Sequence, residues 1–257
     1  MSSSKTSKAE ERHVVMHNKL VEGKYSMPLQ AAKIVRMAIA KMSYGDDSIG
    51  VFSCSIVELA ELLGISKGNL YRDIRKTCAT LERSFVYLGT ENPRHKWIRL
   101  QWVERASYDG NGTLSVMLSP DLQPYLIGLR NCYTQYRLKN IIGFDSFYAI
   151  RLYELLLCRY NMADYSNEEK FKFTIAEIRE LLLCKDKFPR FPDFRRKVLE
   201  RALREINDKS DIEISFDLEK NGISYSAIVF NVHLNKKADN QNSPLFHIQQ
   251  KQQRSVS

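Results

Sequence analysis

Apolar positions along the chain recur first at helical spacing and then at every second residue, and the whole alternation happens twice. In LQAAKIVRMAIAKM (29–42), Ile34, Val35, Ala38, Ile39 and Met42 share one helical stripe, with Pro28 near the first turn. In FSCSIVELAELLGISKGN (52–69), Leu59, Leu62 and Leu63 share a face. Ser55 and Glu58 have the spacing of a capping box, in which hydroxyl and carboxylate each satisfy an orphan backbone donor, so a helix is predicted from Ile56. It ends at Gly64, where a left-handed cap meets no Cβ clash. Ser66 caps a second helix, KGNLYRDIRKTCATLER, with Leu70, Ile74, Cys78 and Leu81 inward. Two helices joined by so few residues form a helix-turn-helix. The period then becomes two, in SFVYLGT (84–90), KWIRLQWVERASY (96–108) and, past Asp109-Gly110-Asn111-Gly112, TLSVML (113–118). A strand, turn and strand after a helix-turn-helix predict a wing. Pro120 and Pro124 end the sheet.

The second cycle opens with YRLKNIIGFDSFYAIRLYELLLCRY (136–160), where Ser146 is positioned to cap an apolar helix carrying Ile150, Tyr153, Leu156 and Leu157. FKFTIAEIRELL (171–182) then repeats the earlier phrase: Phe171, Thr174, Ile175, Glu177, Glu180, Leu181 and Leu182 match Phe52, Ser55, Ile56, Glu58, Glu61, Leu62 and Leu63 at one constant offset. Pro189 and Pro192 break the helix, and Asp193 is predicted to cap FRRKVLERALREIN. IEISFDLEK (212–220) and ISYSAIVFNVHL (223–234) flank Asn221-Gly222, a strong hairpin signal. One repeated phrase could be chance between amphipathic helices; the matching order of elements around both copies favours two tandem winged-helix domains of α+β class over a single mixed fold. The expected division is an N-terminal tail (1–12), a first winged-helix domain (13–135), a second (136–237) and a C-terminal tail (238–257), both tails polar and unstructured.

Charge changes this picture from fold to partner. The chain of 257 residues carries 39 Lys and Arg against 30 Asp and Glu, a formal charge of +9, which fits a polyanion such as nucleic acid. Five cysteines, odd in number and widely spaced, imply a reducing cytoplasm; Cys54, Cys78 and Cys158 lie among apolar neighbours and read as small core residues. No apolar run of membrane-spanning length occurs, so no membrane partner is expected. There is no GxxxxGK[ST], GxSxG, HExxH or EF-hand pattern, and His13 and His17, which would share a helix face, lack a third ligand and read as surface residues. The sequence therefore points to a protein that is not an enzyme and needs no metal or cofactor.

The third element of each cycle is the candidate recognition helix, which enters the major groove and meets base edges. In the second cycle Phe194, Val198, Leu199, Ala202, Leu203 and Ile206 fall inward, leaving Arg195, Arg196, Lys197, Arg201 and Arg204 outward against Glu200 and Glu205. Arginine suits the task because its planar fork holds guanine O6 and N7, or a phosphate, with two bonds. A charged helix face is often only a solvated one; its place in a winged helix of a basic protein favours the functional reading. In the first cycle the outward set is Lys67, Asn69, Tyr71, Arg72, Arg75 and Lys76, better suited to phosphate anchoring. Lys96 and Arg99 in the first hairpin, and Lys236 and Lys237 after the second, are candidate phosphate contacts at the wings. Trp97 and Trp102 read as core or interface residues in an alternating strand.

These segments resemble the plasmid replication initiators of the Rep type that bind iterons, the short direct repeats of a plasmid origin. The likeness is carried by residues 18–42, 52–78, LSPDLQPYL and YTQYRL (118–138), SFYAIRLYELL (146–156) and FRRKVLERALREINDKSDIEISF with the hairpin after it (194–232). The resemblance implies two winged-helix domains, the C-terminal one supplying most base contacts and the N-terminal one dimerisation with auxiliary contacts. It further implies monomers that open the origin and recruit the host replication initiator and replicative helicase, dimers that repress their own gene, and chaperones that convert dimer to monomer in a bacterial cytoplasm. The fold alone leaves a winged-helix transcription regulator or a protein-interaction module as alternatives.

Overall fold

A computed structural model of the chain describes residues 11–42, 45–89, 96–163 and 170–234. The chain divides into two compact units, Met1–Gly143 and Phe144–Ser257.

The first unit opens with β1 (His13–His17), paired antiparallel with β7 (Tyr133–Arg137) so that buried Val14 lies opposite Tyr136 and buried Met16 opposite Thr134. His13 and His17 are thus strand residues, and His17 Nδ1 accepts from the backbone N–H of Lys19 at 3.1 Å to cap the short α1 (Asn18–Val21). α2 (Leu29–Lys41) is buried over most of its surface, Arg36 included. That guanidinium lies 5.4 Å from the ring centres of both Tyr25 and Trp102 and donates to the Tyr25 hydroxyl.

Next come β2 (Val51–Ser55), α3 (Ile56–Leu63) and α4 (Lys67–Glu82). Ser55 caps α3 by accepting from the Glu58 N–H at 3.1 Å, but the Glu58 carboxylate accepts from the Cys54 thiol at 3.6 Å, so only the hydroxyl half of the predicted capping box forms. Gly64 ends α3 at φ +66° and Ser66 caps α4 through the Asn69 N–H.

KWIRLQWVERASY is two strands rather than one: β4 (Trp97–Gln101) and β5 (Val103–Tyr108), separated at Trp102. This indole is fully buried against Tyr25 and Arg36, and the Trp102 backbone N–H donates to Ser84 O while the Trp102 carbonyl accepts from Ser119 N–H. A side chain so deep in the core fixes the backbone there, and the strands on either side diverge. β3 (Phe85–Gly89) pairs with β4 in a hairpin of its own. The wing is formed by β5 and β6 (Thr113–Leu118), which with β2 make a sheet of order β2-β6-β5. Its turn is held by Asp109 Oδ1, which accepts from Asn111 N–H at 2.8 Å and Thr113 N–H at 2.9 Å. After a 3-10 turn at Pro120–Leu122 come α5 (Gln123–Leu126), β7 and α6 (Lys139–Ile142).

The second unit repeats this scaffold, with no counterpart of the β3–β4 hairpin among the described residues. α7 (Phe147–Met162), β8 (Lys170–Thr174) and α8 (Ile175–Leu181) precede α9 (Phe191–Phe194), which runs through a π-helical turn at Arg195–Leu199 into α10 (Glu200–Lys209). β9 (Ile212–Asn221) and β10 (Ser224–Leu234) complete a sheet of order β8-β10-β9, the first-third-second order of the other unit. Thr174 caps α8 at 3.0 Å from the Glu177 N–H, as Ser55 caps α3. Ser146 is the N-cap of α7, but its hydroxyl makes no cap bond; Glu205 Oε2 accepts from the Asp145 and Ser146 N–H groups at 2.7 and 3.1 Å instead.

On α7, Arg151 and Glu154 are both fully buried and pair at 3.5 Å, with Arg151 also donating to the Leu181 carbonyl at the end of α8. Tyr153 donates to Asp211 Oδ1 at 2.8 Å. The polar residues of SFYAIRLYELL are therefore internal fasteners of the core. Burial raises the Cys54 thiol to about 12 and the Cys184 thiol to about 11, in keeping with core roles. Of the other cysteines, Cys158 is buried, Cys78 half-buried and Cys132 exposed.

Candidate nucleic-acid interface

The segment of the second unit from Phe191 to Lys209 presents one apolar and one basic face. Phe194, Val198, Leu199, Ala202 and Ile206 are buried and Leu203 is half-buried, while Arg195, Arg196, Lys197, Arg201 and Arg204 are exposed. The π-helical turn, Arg195–Leu199, contains the first basic triplet and widens the backbone there, changing the angular spacing of these side chains from that of a regular helix.

Four of these five cations are already paired. Arg195 donates to Glu200 at 2.8 Å. Arg201 donates to Glu205 at 3.2 Å and to the Asp145 carbonyl at 2.8 Å. Arg196 and Lys197 each lie 3.6 Å from Asp193 Oδ1. Arg204 alone of the five has no hydrogen bond or ion pair among the described residues.

Asp193 was expected to cap the helix, and it does not. The helix begins three residues earlier with Arg190 as N-cap, because a proline fits the first turn, where its missing N–H would have had no helical partner. Asp193 instead stands inside that turn and accepts from Arg190 Nε at 3.0 Å. The Arg190 guanidinium, together with the Lys197 ammonium, holds the Asp193 carboxyl below the ordinary carboxylate range.

In the first unit all six predicted residues, Lys67, Asn69, Tyr71, Arg72, Arg75 and Lys76, are exposed on α4. Arg72 pairs with Asp73 at 3.2 Å, and Arg75 and Lys76 have no ion pair among the described residues. Tyr71 meets Tyr108 edge to face with ring centres 6.2 Å apart, which ties α4 to the end of wing strand β5. Lys96 and Arg99 belong to the β3–β4 hairpin and not to the wing; Arg99 stacks over Phe85 with its guanidinium 4.8 Å from the ring centre. Trp97, on the same hairpin, is 58% exposed and so is no core residue. Lys236 and Lys237 lie outside the described residues.

Sequence reasoning missed Arg190, the stack of Phe191 on Tyr225 with Lys220 beside it, and Ile223. The sequence pattern puts Arg190 in the break between helices, whereas Pro192 stands at a permitted first-turn position and the helix starts at Phe191. Phe191 stacks on Tyr225 of β10 with ring centres 4.7 Å apart, and Lys220 lies 5.2 Å from the same tyrosine, so the helix start and the wing are joined. Ile223, at the wing turn, is 98% exposed. Nothing in the local sequence signals the aromatic stack, which joins residues far apart in the chain.

The pattern also has residues that support the interface from behind. Asn207 donates through Nδ2 to the Ile214 carbonyl at 2.9 Å and accepts through Oδ1 from the Ile214 N–H at 2.7 Å, binding α10 to edge strand β9. Among the described residues no three His, Cys, Asp or Glu side chains come together as a metal site, and no helix is long and apolar enough to cross a membrane.

Known proteins share this arrangement. Residues 13–157 match the family described as "Initiator Replication protein, WH1" and residues 174–232 match "Initiator Rep protein, WH2". The chain is similar to an Escherichia coli "PI protein", 27% identical over 236 residues that cover 79% of this chain and 77% of that one. It is 24% identical to an E. coli "Replication initiation protein" over 183 residues, 71% of this chain and 56% of the relative. Among solved structures, the Pi initiator protein crystallised in complex with iteron DNA is matched with a TM-score of 0.69 and 25% identity, over 89% of this chain and 99% of that one. The two winged-helix models of one family match the chain in order and together cover most of it, and the chain belongs to that family, the initiator replication (Rep) proteins.

Proposed function

We propose that the protein initiates replication of a plasmid by binding direct repeats in double-stranded origin DNA as a monomer. The observation that carries this reading is the similarity, over nearly the whole length, to an initiator crystallised on iteron DNA. The second unit (136–237 in the sequence division) is the principal reader: Arg195, Arg196, Lys197, Arg201 and Arg204 face the major groove. The first unit (13–135) adds contacts to the phosphate backbone from Lys67, Asn69, Tyr71, Arg72, Arg75 and Lys76 and carries the dimer contact. Lys96, Arg99, Lys236 and Lys237 add phosphate contacts at the margins.

In this reading the bound monomers open the origin and recruit the host initiator and helicase, and a dimer represses the protein's own gene. The work is binding and not catalysis, in the cytoplasm of the plasmid's host. The test is a titration of the full chain, at physiological salt, against duplexes carrying plasmid-origin repeats and against scrambled duplexes. Tighter binding to the repeats is expected, and equal affinity for both would overturn the proposal. Sedimentation of the free and repeat-bound protein then reports whether a dimer gives way to bound monomers.

A further inference from the structure

The carboxylate of Asp193 stands at the centre of the basic cluster that opens the recognition helix. Arg190 reaches one of its oxygens at 3.0 Å, and Arg196 and Lys197 approach the other at 3.6 Å. The three cations are exposed, with 80%, 71% and 52% of their side chains open to solvent, whereas the Asp193 side chain is 20% exposed. The anion is thus the inner, less exposed member of the group and the cations its solvent-facing surroundings. Its backbone is also fixed: Phe194 is fully buried beneath it, and Phe191 stacks on Tyr225 of the wing.

A carboxylate at the start of a DNA-reading helix meets the negative charge of the duplex. Helix stabilisation accounts for an acid in the first turn, since the dipole favours one there. Arg196 and Lys197 stand three and four residues on from it, a spacing that also stabilises a helix, and Arg190 adds a third cation from the N-cap position. While they are so held, a phosphate seeking those cations must compete with Asp193 and approach its charge. Sequence-independent binding is thereby weakened. The amino end of a recognition helix is where side chains meet base edges, and a carboxylate there can accept from an exocyclic amino group, cytosine N4 being the usual donor in the major groove.

We infer that Asp193 is a specificity-determining residue: in free protein it restrains Arg190, Arg196 and Lys197, and on the correct duplex it accepts a hydrogen bond from a base amino group, which releases those cations to phosphates. This rests on the DNA-reading role given to the second unit above. Only a sequence that offers the amino group at the right step compensates the repulsion, so the same charge lowers affinity for wrong sequences and preserves it for the right one.

The experiment uses the full chain and two probes: a duplex selected by the wild-type protein from a library with a randomised core, and a scrambled duplex of equal composition. For Asp193→Asn, binding to the scrambled duplex is expected to tighten and its salt dependence to steepen, because cations freed from the carboxylate now bind phosphates. The ratio of the two affinities is expected to fall about fivefold or more, the discrimination one good base contact supplies. Asp193→Glu keeps the charge and the helix-start preference but moves the oxygens by one methylene. It is expected to leave scrambled binding within about twofold of wild type and to weaken binding to the selected duplex about fivefold or more.

A ratio unchanged in both variants, or an equal loss on both duplexes, would overturn the inference and leave Asp193 a helix-start residue only. Should Asp193→Asn fail to fold, as read by circular dichroism, the Glu variant decides alone. If the wild-type chain enriches no sequence from the library, the proposed function fails. The effect of Asp193→Asn on scrambled binding still reports separately whether the carboxylate restrains the cations.

Discussion

Gly64 and Leu183 occupy the same place in two copies of one helix ending. Gly64 N–H donates to Glu61 O and Ile65 N–H to Ala60 O; Leu183 N–H donates to Glu180 O and Cys184 N–H to Arg179 O. Both take a positive φ, +66° and +44°. A Cβ added to Gly64 would meet no atom within 4 Å, so Gly64→Ala isolates the backbone cost and is expected to lower stability by about 1–2 kcal/mol in urea denaturation. His17 supplies a second residue-scale test. Burial, then the charge of Lys19, lowers its pKa from the ordinary 6.5, and only the neutral ring accepts from Lys19 N–H. The unfolded chain therefore binds this proton more readily, so the stabilisation is fully present above pH 6.5 and is lost as pH falls through the lowered folded value. NMR titration should place His17 below 6.5, and His17→Asn, which retains a capping acceptor, should remove this part of the pH dependence. Caps formed by residues three apart, at Ser55 and Thr174, were legible in the sequence. The cap of α7 was not, because its acceptor is Glu205, far along the chain.

Elements were more legible in their order than in their joints. The change of hydrophobic period located both helix-turn-helix scaffolds and both wing turns. It did not separate β4 from β5, because alternation continues through Trp102 and only the buried position of that indole shows where the chain turns away. Nor could it show which outward arginines are already engaged. Arg201 holds α10 to the start of α7 through the Asp145 carbonyl, while Arg204 has no such bond. Arg204→Ala is therefore expected to relax sequence preference by about 1–3 kcal/mol if it reads a base, with an unchanged melting temperature. Arg201→Ala should lower the melting temperature as well as the preference. Asn207→Ala leaves the Ile214 N–H and C=O without their side-chain partner, which should cost about 1–3 kcal/mol of stability in urea denaturation. The same measurements on Arg72→Ala test the first unit: equal weakening on all sequences, with a shallower salt slope, is the mark of a phosphate contact.

At the scale of the molecule, one scaffold is used twice with different faces. The first unit presents a mixed helix and an added β3–β4 hairpin; the second presents a helix rich in arginine, restrained by its own carboxylates and joined to its wing through Phe191 and Tyr225. That difference is what the proposed division of anchoring and reading between the units rests on, in a protein whose formal charge of +9 suits a polyanion of any sequence. Base reading must therefore add to an electrostatic attraction that is already present and falls with salt. The most direct test is the affinity of the full chain for plasmid-origin repeats and for scrambled DNA across a salt series. The account predicts a preference for the repeats that persists at physiological salt and shrinks in Arg204→Ala. Equal affinities for the two duplexes throughout the series would contradict it.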